Sequence, residues 1–342
     1  FLAVSVLLAG VGLLCSEQIM TALKTPPDAL EIAVTYLNIY FYGLPFLFLY
    51  NILSSLFNAL GKSRIPLYFL IFSSLLNVVL DWYFVAVLHR GVPGAAYATF
   101  LAQGLSAVLS FGVFLLELRR IPERSNGLFR FGELRAMTRV ALPSILQQST
   151  VSIGMMLVQS VVNGFGTQIL AGFSAAARIE SLCIVPMAAI SNALSSYTAQ
   201  NIGASKMERV RSGFKAGLKL VWRLCLPIVA LYLLGGRMLV NIFMNEPSEA
   251  AMASGVQFLR IVSPFYFVVS CKLVSDGVLR GAGLMKEFMV ATFTDLILRV
   301  GLAIALSKVL GVVGVWCAWP IGWSIAMVMS VRFYRRGPWE KA

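Results

Sequence analysis

Long apolar runs broken by short basic segments constrain this chain more than any other feature. A helix needs roughly 20 mostly apolar residues to cross the hydrocarbon core of a bilayer. On that measure the chain divides into ten candidate spans, at 1–23, 32–60, 65–88, 93–118, 139–164, 168–199, 210–235, 250–281, 287–309 and 312–334. Charged residues make up 13% of the 342, about half the share found in soluble domains. Strand-like alternation is absent, which excludes a membrane β-barrel. The expected fold is an all-α integral membrane protein.

The net charge of +13 would suggest nucleic acid in a soluble protein. Here the basic residues fall in alternate loops, so they report topology instead. One side holds Lys62 and Arg64, six arginines from Arg119 to Arg139, five basic residues from Lys206 to Lys219, Arg280 and Lys286, and four more from Arg332 to Lys341. The other side holds only Lys24, Arg90, Arg237 and Lys308. The basic side is expected to be cytoplasmic and to carry the last helix end, in a multi-pass protein of the inner (plasma) membrane. No nucleic-acid partner is expected. Cys15, Cys183, Cys225, Cys271 and Cys317 lie singly in apolar runs and His89 is the sole histidine, so neither a zinc site nor a disulfide framework is expected. Gly61-Lys62-Ser63 lacks the upstream glycine of a nucleotide-binding loop, because Leu56 stands there.

The chain repeats itself. Placing Tyr36–Ile39 over Phe258–Ile261 sets Leu37 on Leu259, an offset of 222 residues. The same offset puts Asn58-Ala-Leu-Gly61 on Arg280-Gly-Ala-Gly283 and Leu76-Asn77-Val78 on Leu298-Arg299-Val300. After a two-residue slip, Gly94–Ala98 falls on Gly314–Ala318. A register held through loops and glycines signals duplication rather than shared oiliness. The expected plan is two pseudo-symmetric helix bundles: an N-terminal lobe at 1–118, a cytoplasmic linker at 119–139 and a C-terminal lobe at 140–342. Four helices are visible in the first lobe and six in the second. On a six-plus-six plan, about 84 further residues forming two helices are expected before Phe1. An even number of helices per repeat gives both lobes the same orientation.

Three stretches carry a family likeness. The first is Asn77-Val-Val-Leu-Asp81 followed by Gly91-Val-Pro-Gly-Ala-Ala-Tyr-Ala-Thr99. The second is Gln200-Asn-Ile-Gly-Ala-Ser-Lys206, and the third Leu279-Arg-Gly-Ala-Gly283. In order, on expected helix ends, they resemble segments of the multidrug and toxic compound extrusion family, from its third helix to its twelfth. The resemblance implies an antiporter that expels small organic, often cationic, compounds in exchange for a proton or a sodium ion, with no cofactor and no enzymatic step. It also implies two bundles rocking around a central cavity. A monomer in the lipid bilayer is expected. One branch of the family carries a glutamate about eight residues after the seventh-helix proline; Val151 occupies that place after Pro143. The same branch has a tenth-helix aspartate where this chain has Val269, although Asp276 directly precedes Gly277. A lipid-precursor flippase of the same superfamily and a non-transporting membrane scaffold stand as alternatives.

Polar residues inside apolar spans are the candidate site. Gln147, Gln148, Thr150 and Asn163 lie along the first helix of the second lobe, either as interhelical hydrogen-bonding groups or as a substrate-accepting lining. Glu180 and Asn192 follow in the next helix, with Glu180 a candidate proton or cation ligand. Lys272, Asp276 and Arg280 are spaced four apart on one helix face, and Asp295 and Arg299 form a second such pair. From helix rise alone, Lys272 and Asp295 stand at similar depth and are expected to meet across the hairpin. Under the repeat, Lys272, Asp276, Asp295 and Arg299 correspond to the neutral Tyr50, Ser54, Ser73 and Asn77. Charge confined to one lobe is either an ionic staple or a coupling device.

Overall fold

The computed structural model describes residues 2–22, 27–120, 131–244 and 248–337. Among them are eleven α-helices and no strand: α1 (Leu2–Ala22), α2 (Pro27–Ala59), α3 (Arg64–Asp81), α4 (Gly91–Leu118), α5 (Phe131–Asn163), α6 (Thr167–Gly203), α7 (Met207–Ile242), α8 (Glu249–Val262), α9 (Tyr266–Gly281), α10 (Met285–Leu310) and α11 (Val312–Arg335). Short irregular turns interrupt two spans: a π-helical turn at Trp82–Val87 after α3, and a 3-10 turn at Ser263–Phe265 between α8 and α9. Taking α8 and α9 as one span, ten segments are long and apolar enough to cross a membrane. Leu14, Val309 and Leu234 are 80–90% exposed. Such side chains need an apolar solvent, and the bilayer supplies it.

The chain forms two compact units, 1–128 and 129–342. Of the 119–139 linker, residues 121–130 lie outside those described, and from Phe131 the chain is already helical as the start of α5.

In the first unit α2 packs between α1 and α4, and α3 lies against α4. Lipid removes the hydrophobic drive between helices, so close backbone approach and dispersion must hold them together. Helix α4 meets that need with a buried stripe of small residues four apart: Gly94, Ala98, Ala102, Ser106 and Ser110. Ser106 Oγ donates to the Phe69 carbonyl of α3 at 3.1 Å. Phe57 and Phe114 meet edge to face at 5.8 Å.

In the second unit α6 is the helix on which α7, α8 and α9 all pack. The neighbours bring glycines to it. A Cβ at Gly277 of α9 would stand 2.6 Å from the Ser191 carbonyl, and one at Gly281 would strike the Ser195 carbonyl. A Cβ at Gly255 of α8 would lie 2.9 Å from the Gly172 carbonyl. The Gly277/Gly281 pair is therefore a packing device. Toward one end, Phe173, Phe258, Trp316 and Trp319 form an aromatic core with centroids 5.1–6.0 Å apart.

The duplication reappears as matched local geometry. Helix α2 ends when Gly61 takes φ 74°, and α9 ends when Gly283, 222 residues on, takes φ 73°. The same two bonds close both turns. Gly61 N–H reaches Asn58 O at 3.1 Å and Lys62 N–H reaches Phe57 O at 2.8 Å; Gly283 reaches Arg280 O at 3.0 Å and Leu284 reaches Leu279 O at 2.9 Å. Only glycine enters this left-handed region without strain. Gly94 packs on Phe84, and Gly314 packs on Leu306, the residue that the offset pairs with Phe84. The units differ where Trp82–Val87 widens into a π turn, since the matching residues Ile304–Val309 stay α-helical within α10.

Candidate functional site

The buried charged residues described in the second unit, with the half-buried Arg280, fall into three groups. The first is built on α9. Pro264 cannot donate a backbone N–H, so α8 stops at Val262 and the chain restarts as α9 at Tyr266. Lys272 and Asp276 lie one turn apart on it, with Nζ 2.7 Å from Oδ2. Both are buried, at 5% and 2% exposure. The other carboxylate oxygen accepts from Ser330 Oγ of α11 at 2.6 Å. Asp276 thus has partners on both oxygens, as a buried charge requires.

Arg280, one turn further on, forms no ion pair with Asp276. It reaches across to α6, donating to Ser191 Oγ at 3.2 Å and to Asn192 Oδ1 at 2.8 Å. Its guanidinium also lies 5.4 Å from the Phe288 ring centroid. Ser191 in turn donates to the Leu273 carbonyl at 2.6 Å. Asn192 is therefore part of an α6–α9 clasp.

The second group is on α10. Arg299 Nη2 lies 3.5 Å from Asp295 Oδ2, a long contact for a charge-assisted bond. Asp295 Oδ1 and Arg299 Nε are buried with no partner among the described residues. Gly322 of α11 rests directly on this pair: a Cβ there would sit 2.8 Å from Asp295 Oδ1. The Arg299 guanidinium lies 5.7 Å from the Trp319 ring centroid. At the matching place in the first unit, Asn77 faces Thr99 at 3.4 Å.

Glu180 of α6 is the third group. It is buried, at 8% exposure, and has no hydrogen bond or ion pair among the described residues. Arg299 is the cation within its Coulombic range. Tyr232, Tyr266 and Cys183 lie within electrostatic range of it. Tyr232 donates its hydroxyl to the Ile179 carbonyl at 2.5 Å, while the Tyr266 hydroxyl has no partner among the described residues.

The expected meeting of Lys272 with Asp295 does not occur; each finds its partner on its own helix. Helix α11 packs on both α9 and α10, which themselves touch little. From α11, Ser330 bonds Asp276 and Gly322 rests on Asp295. Among the described residues, no hydrogen bond links Gln147, Gln148, Thr150 or Asn163 to the charged groups. Gln147 is half-buried and Gln148 exposed. The Thr150 hydroxyl bonds back to the Leu146 carbonyl at 2.7 Å. Asn163 is the exposed last residue of α5, about 20 Å along the axis from Thr150, and its carbonyl closes the following turn. Sequence reading missed Ser330, Ser191, Gly322 and Trp319, which contribute through contacts between helices and leave no local spacing to notice.

A protein-family model described as MatE matches residues 1–83 and 143–305. The probable multidrug resistance protein YpnP of Bacillus subtilis (strain 168) is 32% identical over 331 residues, covering 96% of this chain and 74% of that protein. The human multidrug and toxin extrusion protein 1 is 24% identical, covering 96% of this chain and 58% of that protein. Among solved structures, an outward-facing multidrug resistance MATE family transporter of the MOP superfamily superposes with a TM-score of 0.86 at 25% identity, covering all of this chain and 78% of that one.

Proposed function

The chain belongs to the MatE family of multi-pass membrane transporters, and on that premise we propose that it exports small organic compounds from the cytoplasm by exchange for an inward-moving cation. The relatives named for multidrug resistance and for multidrug and toxin extrusion support export of chemically varied compounds. The positive-inside pattern supports placing the basic loops in the cytoplasm.

The coupling element in this reading is the set Glu180, Asp295 and Arg299. The observation that carries it is the isolation of Glu180, a buried carboxylate with no bonded partner among the described residues and, at electrostatic range, an arginine that already leans on Asp295. Arg299 pairs with Asp295 and acts on Glu180 only at longer range, so in this reading the set is one positive charge short. An uncompensated buried charge costs several kcal/mol. Uptake of one proton or one sodium ion removes that deficit, and Arg299 can then favour whichever carboxylate stays charged. Binding a cation thereby shifts an arginine between α6 and its own helix, a packing change that a transport cycle can use. Lys272–Asp276 is already neutral and satisfied, and in this reading it holds α9 in register.

The test is dye export from proteoliposomes energised separately by a proton or a sodium gradient. Wild type should respond to one of the two gradients. Glu180→Gln should fold and insert but lose that response, and Asp295→Asn should weaken it. Wild-type gradient dependence in both variants would refute the assignment.

A further inference from the structure

The start of α5 and the start of α10 line a groove in the second unit, which extends along α5. One section, of about 770 Å³, has an apolar floor that includes Pro143, Met289, Phe293 and Ile297. A second section of about 1030 Å³ continues along α5 past Leu134 and Leu142. Arg139 and Pro143 line both sections. Arg135, Arg139 and Lys286 stand on the rim, and Glu287 is the acid that joins them. None of the three cations forms an ion pair among the described residues.

Helix rise sets the depth of these cations. Arg139 lies about 36 Å along α5 from Asn163 at its other end, and Lys286 about 33 Å along α10 from Lys308. The hydrocarbon core is about 30 Å thick. Both cations therefore sit at headgroup level when the far helix ends are at the opposite surface, while the apolar floor below them lies among acyl chains. Three cations against one acid leave the rim at net +2, which repels an organic cation and attracts an anion.

We propose that this groove binds an acidic phospholipid of the leaflet on the basic side, its phosphate held between Arg139 and Lys286 and an acyl chain laid on Met289, Phe293 and Ile297. Arg135 adds attraction one helical turn further out. The groove shares no residue with the Glu180–Asp295–Arg299 set, so the proposal is independent of how transport is coupled.

Spin-labelled phosphatidylglycerol and phosphatidylcholine, introduced in trace into phosphatidylcholine nanodiscs holding the full chain, measure it. The motionally restricted fraction should favour phosphatidylglycerol in wild type. A cation near a membrane surface contributes about fivefold to association with acidic lipid. Arg139→Gln with Lys286→Gln should therefore remove most of the preference, and either change alone should lower it about fivefold. Val290→Trp, which fills the groove wall and leaves the cations in place, should also reduce restriction. Arg237→Gln, on the opposite surface, should change nothing. Equal restriction of the two lipids by wild type, or a preference that survives the double substitution, would overturn the proposal.

Discussion

A double-substitution cycle at Lys272 and Asp276 separates a structural ion pair from a dispensable one. Both side chains are about 95% buried, 2.7 Å apart, and Asp276 is also held by Ser330. Asp276→Asn keeps an oxygen for Ser330 but strands the ammonium, and Lys272→Met strands the carboxylate. Breaking a buried pair from one side costs about 3–5 kcal/mol. Making both changes leaves no charge and preserves the Ser330 bond, so the double variant should lie within about 2 kcal/mol of wild type. The coupling energy is then several kcal/mol, far from additivity. Unfolding free energies in mixed micelles, followed by tryptophan fluorescence, would give all four corners of the cycle. The exposed Arg237–Glu249 pair, 72% and 81% exposed at 3.1 Å, is an internal control whose removal should barely register. Single variants costing under about 1 kcal/mol, or a double variant as unstable as the sum of the singles, would refute the claim that this pair is desolvated and mutually dependent.

Gly281→Val should destabilise the second unit by about 1–3 kcal/mol or more, because its new Cβ strikes the Ser195 carbonyl of α6; a shift in unfolding midpoint checks this. Gly61→Ala and Gly283→Ala should carry similar penalties of about 1 kcal/mol, since both residues hold φ near +74° in the same helix-ending turn. Unequal costs would weaken the equivalence of the two turns. Trp316→Ala should cost about 3–5 kcal/mol by opening the aromatic core around Phe173 and Phe258. A cysteine at exposed Ser205, in a cysteine-free background, should resist impermeant thiol reagents added outside intact cells; ready labelling would reverse the topology.

The amino-acid sequence by itself determined the helices, the repeat and the neighbour pairs within one helix. Hydropathy acts locally, so the ten spans are legible without any knowledge of contacts. The matched turns at Gly61 and Gly283 are legible because a left-handed φ demands glycine wherever the turn recurs. Lys272–Asp276 and Asp295–Arg299 follow from spacing of four on a helix. Tertiary structure alone decided what crosses between helices. It placed α11 against both α9 and α10, with Ser330 on Asp276 and Gly322 on Asp295, and left Lys272 and Asp295 each paired on its own helix. It turned Arg280 from Asp276 toward Asn192, and it set Arg299 of α10 within electrostatic range of Glu180 of α6 without an ion pair between them. Axial rise fixes how deep a residue sits but not which neighbour it faces, because the rotation and order of helices depend on packing small against large along their whole length.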